Sequence, residues 1–280
     1  MFKHLVSLQD SNVSSAVKKF YKNTYGFHDI VGLGTGPDAR LYAITVDNWP
    51  ANLSGYLPAL IEIDPLAITS SVPELLEDLS EDDAIAIATD GKQLYVCEGE
   101  DCGVFKTTPW EDDLEYINDF EGEWSAITVF EGIVYATTGG PNGIIVRCGD
   151  NKNTNLNQTV NVLHPNFTAN WKGIAVCDGN LYAISELLNV YIFNKEEDRF
   201  VHRFCLHDVT IWGNGYQKMK GIGNYLYLID NFHKLWRLDP TDVSSLTNIS
   251  EDLDYISSIC ELEGKMYVSQ LQGGIYEYIP

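Results

Sequence analysis

The chain has 280 residues, 45% of them hydrophobic and 12% aromatic, a balance that suits a globular fold and excludes a disordered one. Forty acidic residues against 18 basic ones leave a net charge of −22. Such a surface repels phosphate backbones and anionic lipid, which excludes nucleic acid and membranes as partners and favours basic partners and cations. No apolar run approaches the roughly 18 residues of a membrane-spanning helix.

Residues 1–10 lack the apolar core of a secretory signal, so a cytoplasmic location is expected, or secretion if a leader was removed. Residues 2–8 alternate apolar and polar side chains, which predicts a strand with one buried face. Residues 11–23 place Val13, Val17 and Phe20 at helical spacing, the pattern of a short helix crossing to the first repeat. The phrase Gly-Leu-Gly-Thr-Gly at 32–36 lacks the Gly-Lys-Ser/Thr of a phosphate loop and reads as a hairpin loop. Residues 71–79, with Pro73 near the start and Leu75, Leu76 and Leu79 at helical spacing, predict one or two helical turns.

From residue 41 onward one short phrase recurs six times, marked by Tyr42, Tyr95, Tyr135, Tyr182, Tyr227 and Tyr267. A spacing of roughly 45 residues that fills a chain means one supersecondary unit repeated. Residues 124–135 and 171–182 align without gaps. Each opens on tryptophan and continues with apolar residues at alternate positions, Ile127 and Val129 or Ile174 and Val176. Glu131-Gly132 and Asp178-Gly179 follow as turn dipeptides, and a second strand carries the tyrosine. Third strands are predicted at 60–64, 104–106, 144–146, 190–193, 235–239 and 274–278, and fourth strands at 116–120, 160–163, 200–206 and 246–250. Pro65 and Pro240 interrupt pairing after the third run, because proline has no donor to give a sheet.

Four antiparallel strands per repeat is the composition of a propeller blade. The expected fold is therefore all-β: one domain over 1–280, a six-bladed β-propeller of four-stranded antiparallel blades. The repeats span about 28–280. The chain ends right after the third strand of the sixth copy, leaving an exposed edge. Residues 2–8 are expected to pair there and close the ring.

The sequence of apolar strand, Asp-Gly, Leu-Tyr-Ala and then Leu-Trp-Arg-Leu-Asp-Pro at 235–240 resembles repeats of the large β-propeller superfold, including NHL-like and quinoprotein-like members. The resemblance covers roughly residues 29–280. It implies the architecture and carries no functional residue with it.

Six cysteines occur, Cys97, Cys102, Cys148, Cys177, Cys205 and Cys260, with no Cys-x-x-Cys pair to suggest structural zinc. Cys97 and Cys102 flank one hairpin loop, where they form a disulfide in an oxidising compartment and stay reduced in the cytosol. Five glycosylation sequons, at Asn12, Asn52, Asn157, Asn166 and Asn248, matter only on a secretory route.

In a propeller the first strand of each blade lines the channel, and its entry loop shares one face with the loop between the second and third strands. The candidate ligand-binding residues on that face are His28, Asp29, Trp49, Asp82, Trp124, Trp171, Lys172, Lys220, Asp230, His233 and Tyr255. Three readings compete. A non-catalytic interaction propeller that recognises a protein or peptide, preferably basic, leads; Trp49, in the longest loop, is a residue type enriched at hot spots. A carbohydrate-binding, lectin-like propeller would stack sugars on Trp124 and Trp171. A metal-dependent hydrolase or lyase would converge His28, Asp29, Asp82, Asp83 and Glu98 on the channel, though nothing in their spacing requires it. No Gly-x-Ser-x-Gly turn is present, and no cofactor is expected.

Overall fold

The structure, a computed structural model, describes residues 1–5, 26–45, 59–68, 74–78, 85–97, 103–108, 115–118, 123–140, 142–150, 158–163, 170–206, 216–250, 253–271 and 274–279. After β1 (Phe2–His4), blade 1 contains β2 (Phe27–Leu33), β3 (Arg40–Thr45), β4 (Ala59–Ile63) and β5 (Glu74–Asp78). Blade 2 contains β6 (Ala86–Thr89), β7 (Leu94–Cys97), β8 (Val104–Thr107) and β9 (Glu115–Asn118). Blade 3 has β10 (Trp124–Phe130), β11 (Ile133–Thr138), β12 (Ile145–Asp150) and β13 (Gln158–Thr159), followed by β14 (Asn161–Leu163). Blade 4 has β15 (Trp171–Cys177), β16 (Asn180–Ser185), β17 (Asn189–Asn194) and β18 (Arg199–Cys205). Blade 5 has β19 (Tyr216–Ile222), β20 (Tyr225–Asp230), β21 (Leu235–Asp239) and β22 (Asp242–Asn248); blade 6 has β23 (Ile256–Leu262), β24 (Lys265–Gln270) and β25 (Gly274–Tyr278).

Each blade is a meander with its first strand innermost. Each inner strand packs against that of the next blade, and β23 packs against β2, so the six sheets form a closed six-bladed propeller. The N-terminal strand completes it, with β1 covering residues 2–4 of the expected 2–8, while residues 6–8 lie outside the described residues. β1 lies antiparallel to β25, pairing Phe2 with Tyr278 and His4 with Tyr276. Leu5 N donates to Ile275 O (3.1 Å) and Ile279 N to Met1 O (2.8 Å), so the last blade joins both ends of the chain.

The repeat has a packing cause. All six repeat tyrosines are buried, as are the apolar residues beside them on the second strands, Met266 of blade 6 being only partly so. Adjacent blades share core: Phe130 and Tyr135 of blade 3 belong to one cluster with Trp171, Tyr191 and Phe200 of blade 4. The dipeptides predicted as turns take the left-handed conformation at both residues, with Glu131 at φ 53°, Gly132 at 77°, Asp178 at 47° and Gly179 at 66°. Such turns match the twist of the strands they join.

Two expectations are corrected. Of residues 71–79, the described ones, Glu74–Asp78, form not a helical turn but the strand β5, which sets Leu75 opposite Ile61 and Glu74 opposite Glu62; the others lie outside the described residues. The open edge of β4 needs partners for its backbone, and that demand overrides local helix propensity. In blade 3 the fourth strand is β13 rather than 160–163. Val160 N still donates to Ile145 O (2.8 Å), but β14 then runs parallel to β18 and makes blade 4 five-stranded. Burying Val160 in the seam carries the chain across to the edge of the next blade. Residues 11–23 and Cys102 lie outside the described residues, while Cys97 is a free, buried thiol.

Candidate functional site: the channel face

In five blades the inner strand enters through a register shift against the second strand, between Phe27 and Asp29, Trp124 and Ala126, Trp171 and Gly173, Tyr216 and Lys218, and Ile256 and Ser258. The extra residues are His28, Ser125, Lys172, Gln217 and Ser257. A bulge bends the strand and re-aims its side chains. Ser125 Oγ lies 2.8 Å from Thr137 Oγ1 and Ser257 Oγ 2.8 Å from Ser269 Oγ, so both fold back on the second strand.

Past the bulge of blade 1, Asp29 is 0% exposed at the centre of a cross-channel network. Its Oδ1 accepts from Ile30 N (2.9 Å) and from Ser258 Oγ of blade 6. Its Oδ2 accepts from Ile87 N of blade 2 (3.0 Å) and from Lys220 Nζ of blade 5 (2.9 Å). Lys218 Nζ lies 3.7 Å from the same oxygen and donates to His28 O (2.7 Å). Burial pushes the Asp29 carboxyl up, but the two ammonium groups and the Ser258 bond outweigh it and hold the pKa below its ordinary 3.8. Burial pulls the Lys218 ammonium below its usual 10.5, against the attraction of Asp29. Four blades are tied together here, and the carboxylate has no capacity left for a metal or a substrate proton.

Beside this network the channel is a cavity of about 290 Å³, lined by Val31, Val129, Val176, Ile222, Thr89 and Glu261 along with Lys220. Its width follows from how closely the inner strands approach. A Cβ on Gly221 would fall 1.7 Å from Val176 O, so only glycine lets blade 5 close onto blade 4 there.

The remaining candidates divide sharply. Trp124 and Trp171 are 2% and 0% exposed; Trp171 meets Tyr191 edge-on with ring centroids 5.3 Å apart. Their faces belong to the core. Asp230, also buried, organises its own loop: Oδ1 accepts from Phe232 N and Lys234 N (both 2.9 Å) and Oδ2 from Trp236 Nε1 (2.9 Å). Lys172 and His28 are half-buried at their bulges. Trp49, Asp82, Asp83 and Glu98 lie outside the described residues. His233 and Tyr255 do come together, on neighbouring loops with ring centroids 6.1 Å apart, and Tyr255 is 48% exposed.

Sequence reasoning missed Ser258 and Lys218 as partners of Asp29, and missed Phe232, Leu187 and Asp254 as surface. The signal for Lys218 was present: Lys218 and Lys220 stand two apart on a strand, hence on one face. Among the described residues no group of three His, Cys, Asp or Glu side chains is placed to hold a metal ion. No helix there is long and apolar enough to cross a membrane.

The fold is widely shared. The chain is similar to a chain of the nidogen/laminin complex, with 11% identity and a TM-score of 0.61 over 80% of this chain and 79% of that one. It is similar to the WD40 β-propeller domain of Doa1, with 10% identity and a TM-score of 0.59 over 99% and 97%. The computationally designed Ika8 protein gives 8% identity and a TM-score of 0.51 over 90% and 71%. No protein-family model matches the chain, and no curated protein matches it in sequence. Likeness at this identity carries the fold alone.

Proposed function

We propose that this protein is a non-catalytic interaction propeller that takes a basic protein or peptide on its channel face. The observation that carries the reading is an apolar, acidic surface on one set of loops. Leu187 and Phe232, in the loops between second and third strands of blades 4 and 5, are 61% and 64% exposed. Tyr255, at the entry to blade 6, belongs to the same face. Glu123, Glu186 and Asp254 stand exposed among them. Apolar side chains rimmed by charge are the composition of a recognition surface, and the net charge of −22 favours a basic partner.

The buried state of Trp124 and Trp171 removes the two stacking platforms on which a sugar-binding reading rested. Saturation of Asp29 takes one carboxylate of the catalytic reading out of reach of a metal or substrate. Both cores and pairs are what a rigid scaffold requires. The presence of nidogen/laminin and WD40 structures among similar folds agrees with an interaction role without naming a partner.

The test is affinity capture from lysate of the source organism at low and at raised salt, followed by titration of each retained protein against the purified chain. A specific protein that is lost at high salt, and whose binding weakens in Leu187→Ser/Phe232→Ser, supports the reading. Retention of glycans on an array, with no protein captured, overturns it.

A further inference from the structure

Blades 5 and 6 meet on the channel face at a seam that joins the loop after β20 to the entry of β23. His233 and Tyr255 carry side chains yet sit in the left-handed region, at φ 59° and 57°. L-residues avoid this conformation, and it persists where the surroundings over-determine it. Here they do. His233 N donates to Asp230 O (2.8 Å), Ile256 N to His233 O (3.1 Å) and Leu271 N to Tyr255 O (2.8 Å). The backbone at both residues is thereby fixed, and the two rings lie side by side, inclined by 37°.

Asp254 precedes Tyr255 and is already a cation site. Lys234 Nζ bonds its Oδ1 and donates to Leu253 O (3.2 Å), while Gln270 Nε2 donates to Asp254 O (2.6 Å) and fixes the loop. The Asp254 side chain remains 66% exposed. Phe232, next to His233, offers apolar surface to solvent.

We infer that this seam receives one basic side chain, an arginine or lysine of the partner, over the Tyr255 ring and beside the Asp254 carboxylate. This rests on the channel-face reading above. The face of a tyrosine ring attracts a cation through its quadrupole. A neighbouring carboxylate adds a charge-assisted hydrogen bond, which a guanidinium can make in bidentate form. Phe232 covers the aliphatic stem, as apolar surface does for long basic side chains. Rings fixed beforehand lose little freedom on binding. Lys234 shows that the carboxylate accepts an ammonium, and a partner cation would share or replace it.

The experiment uses three fluorescent hexapeptides of glycine and serine that carry two arginines, two lysines or two citrullines, titrated by anisotropy at low and physiological salt. Citrulline keeps the shape of arginine without its charge. The arginine and lysine peptides are expected to bind at least tenfold more tightly than the citrulline peptide. Tyr255→Gly, which removes the ring and suits the positive φ, and Asp254→Asn are each expected to weaken arginine-peptide binding about tenfold. Tyr255→Phe retains it. Equal binding of all three peptides, no binding of the arginine peptide, or wild-type affinity in both Tyr255→Gly and Asp254→Asn overturns the inference. The two readings fail separately. A captured partner that responds to Leu187→Ser/Phe232→Ser but not to the seam variants keeps the channel face and removes the seam. Seam-dependent peptide binding without any captured protein does the reverse.

Discussion

The channel face holds two carboxylate–lysine pairs with opposite fates. Asp29 and Lys220 meet at 2.9 Å with the carboxylate fully buried and every oxygen engaged. Asp254 and Lys234 are also paired, but with both partners in water's reach. The aromatic residues at the strand entries repeat the contrast, since Trp171 is sealed in the core while Tyr255 stands half exposed. Charge and ring type do not separate site from scaffold. Desolvation does: a buried pair must be satisfied by its own neighbours, whereas an exposed pair contributes little to stability and stays available to exchange partners.

The comparison breaks most visibly in the core. Trp124→Ala/Trp171→Ala removes two buried indoles at about 3–5 kcal/mol each, and the protein is expected to unfold in urea at concentrations the wild type withstands. A folded double variant would mean the entry tryptophans are not packing residues. Asp29→Ala comes next, at about 3–5 kcal/mol, because it strands buried lysines without a counter-charge; equilibrium denaturation reads this directly. Deleting residues 1–5 strips β1 from blade 6. It is expected to cost on the order of 3 kcal/mol through lost ladder bonds and to promote association through the bared edge. An unchanged melting temperature and a monomeric elution profile would contradict ring closure by β1.

Acid supplies a subtler test. The folded Asp29 carboxyl titrates below its ordinary 3.8, so the unfolded chain binds the proton first as pH falls. Its contribution to stability is full above about pH 4 and is lost as pH drops through the lowered folded value. Asp29→Asn is expected to take up one proton fewer across acid unfolding, measured as a shallower dependence of stability on pH. The smallest effect belongs to the open pair. Asp254→Asn and Tyr255→Gly are expected to change stability by less than about 1 kcal/mol while weakening binding. A large stability loss in either would move the seam into the scaffold.

Architecture was legible because its cause is local and repeated. Alternating apolar residues, turn dipeptides such as Asp178-Gly179 and a tyrosine per repeat name a blade wherever they occur, and six copies name the ring. The closing strand was legible from arithmetic: a repeat lacking its last strand at one end and an unassigned alternating segment at the other. Reading failed where a segment's fate depends on an edge elsewhere. Leu75 and its neighbours have good helical character and form β5 because β4 needs pairing. Residues 161–163 leave blade 3 because β18 offers a second edge.

The site was legible only in outline. Strand order by itself put Asp29, Lys220, His233 and Tyr255 on one face, since a meander fixes which loops share an end. It did not distinguish the saturated from the available among them. Lys220 reaches Asp29 across 191 positions of sequence, and Ser258 across 229. Such pairings arise only when the ring closes and brings four inner strands within hydrogen-bond reach. Local periodicity therefore determined the blades, their number and their orientation. Tertiary closure decided which polar groups lost their water and which kept it.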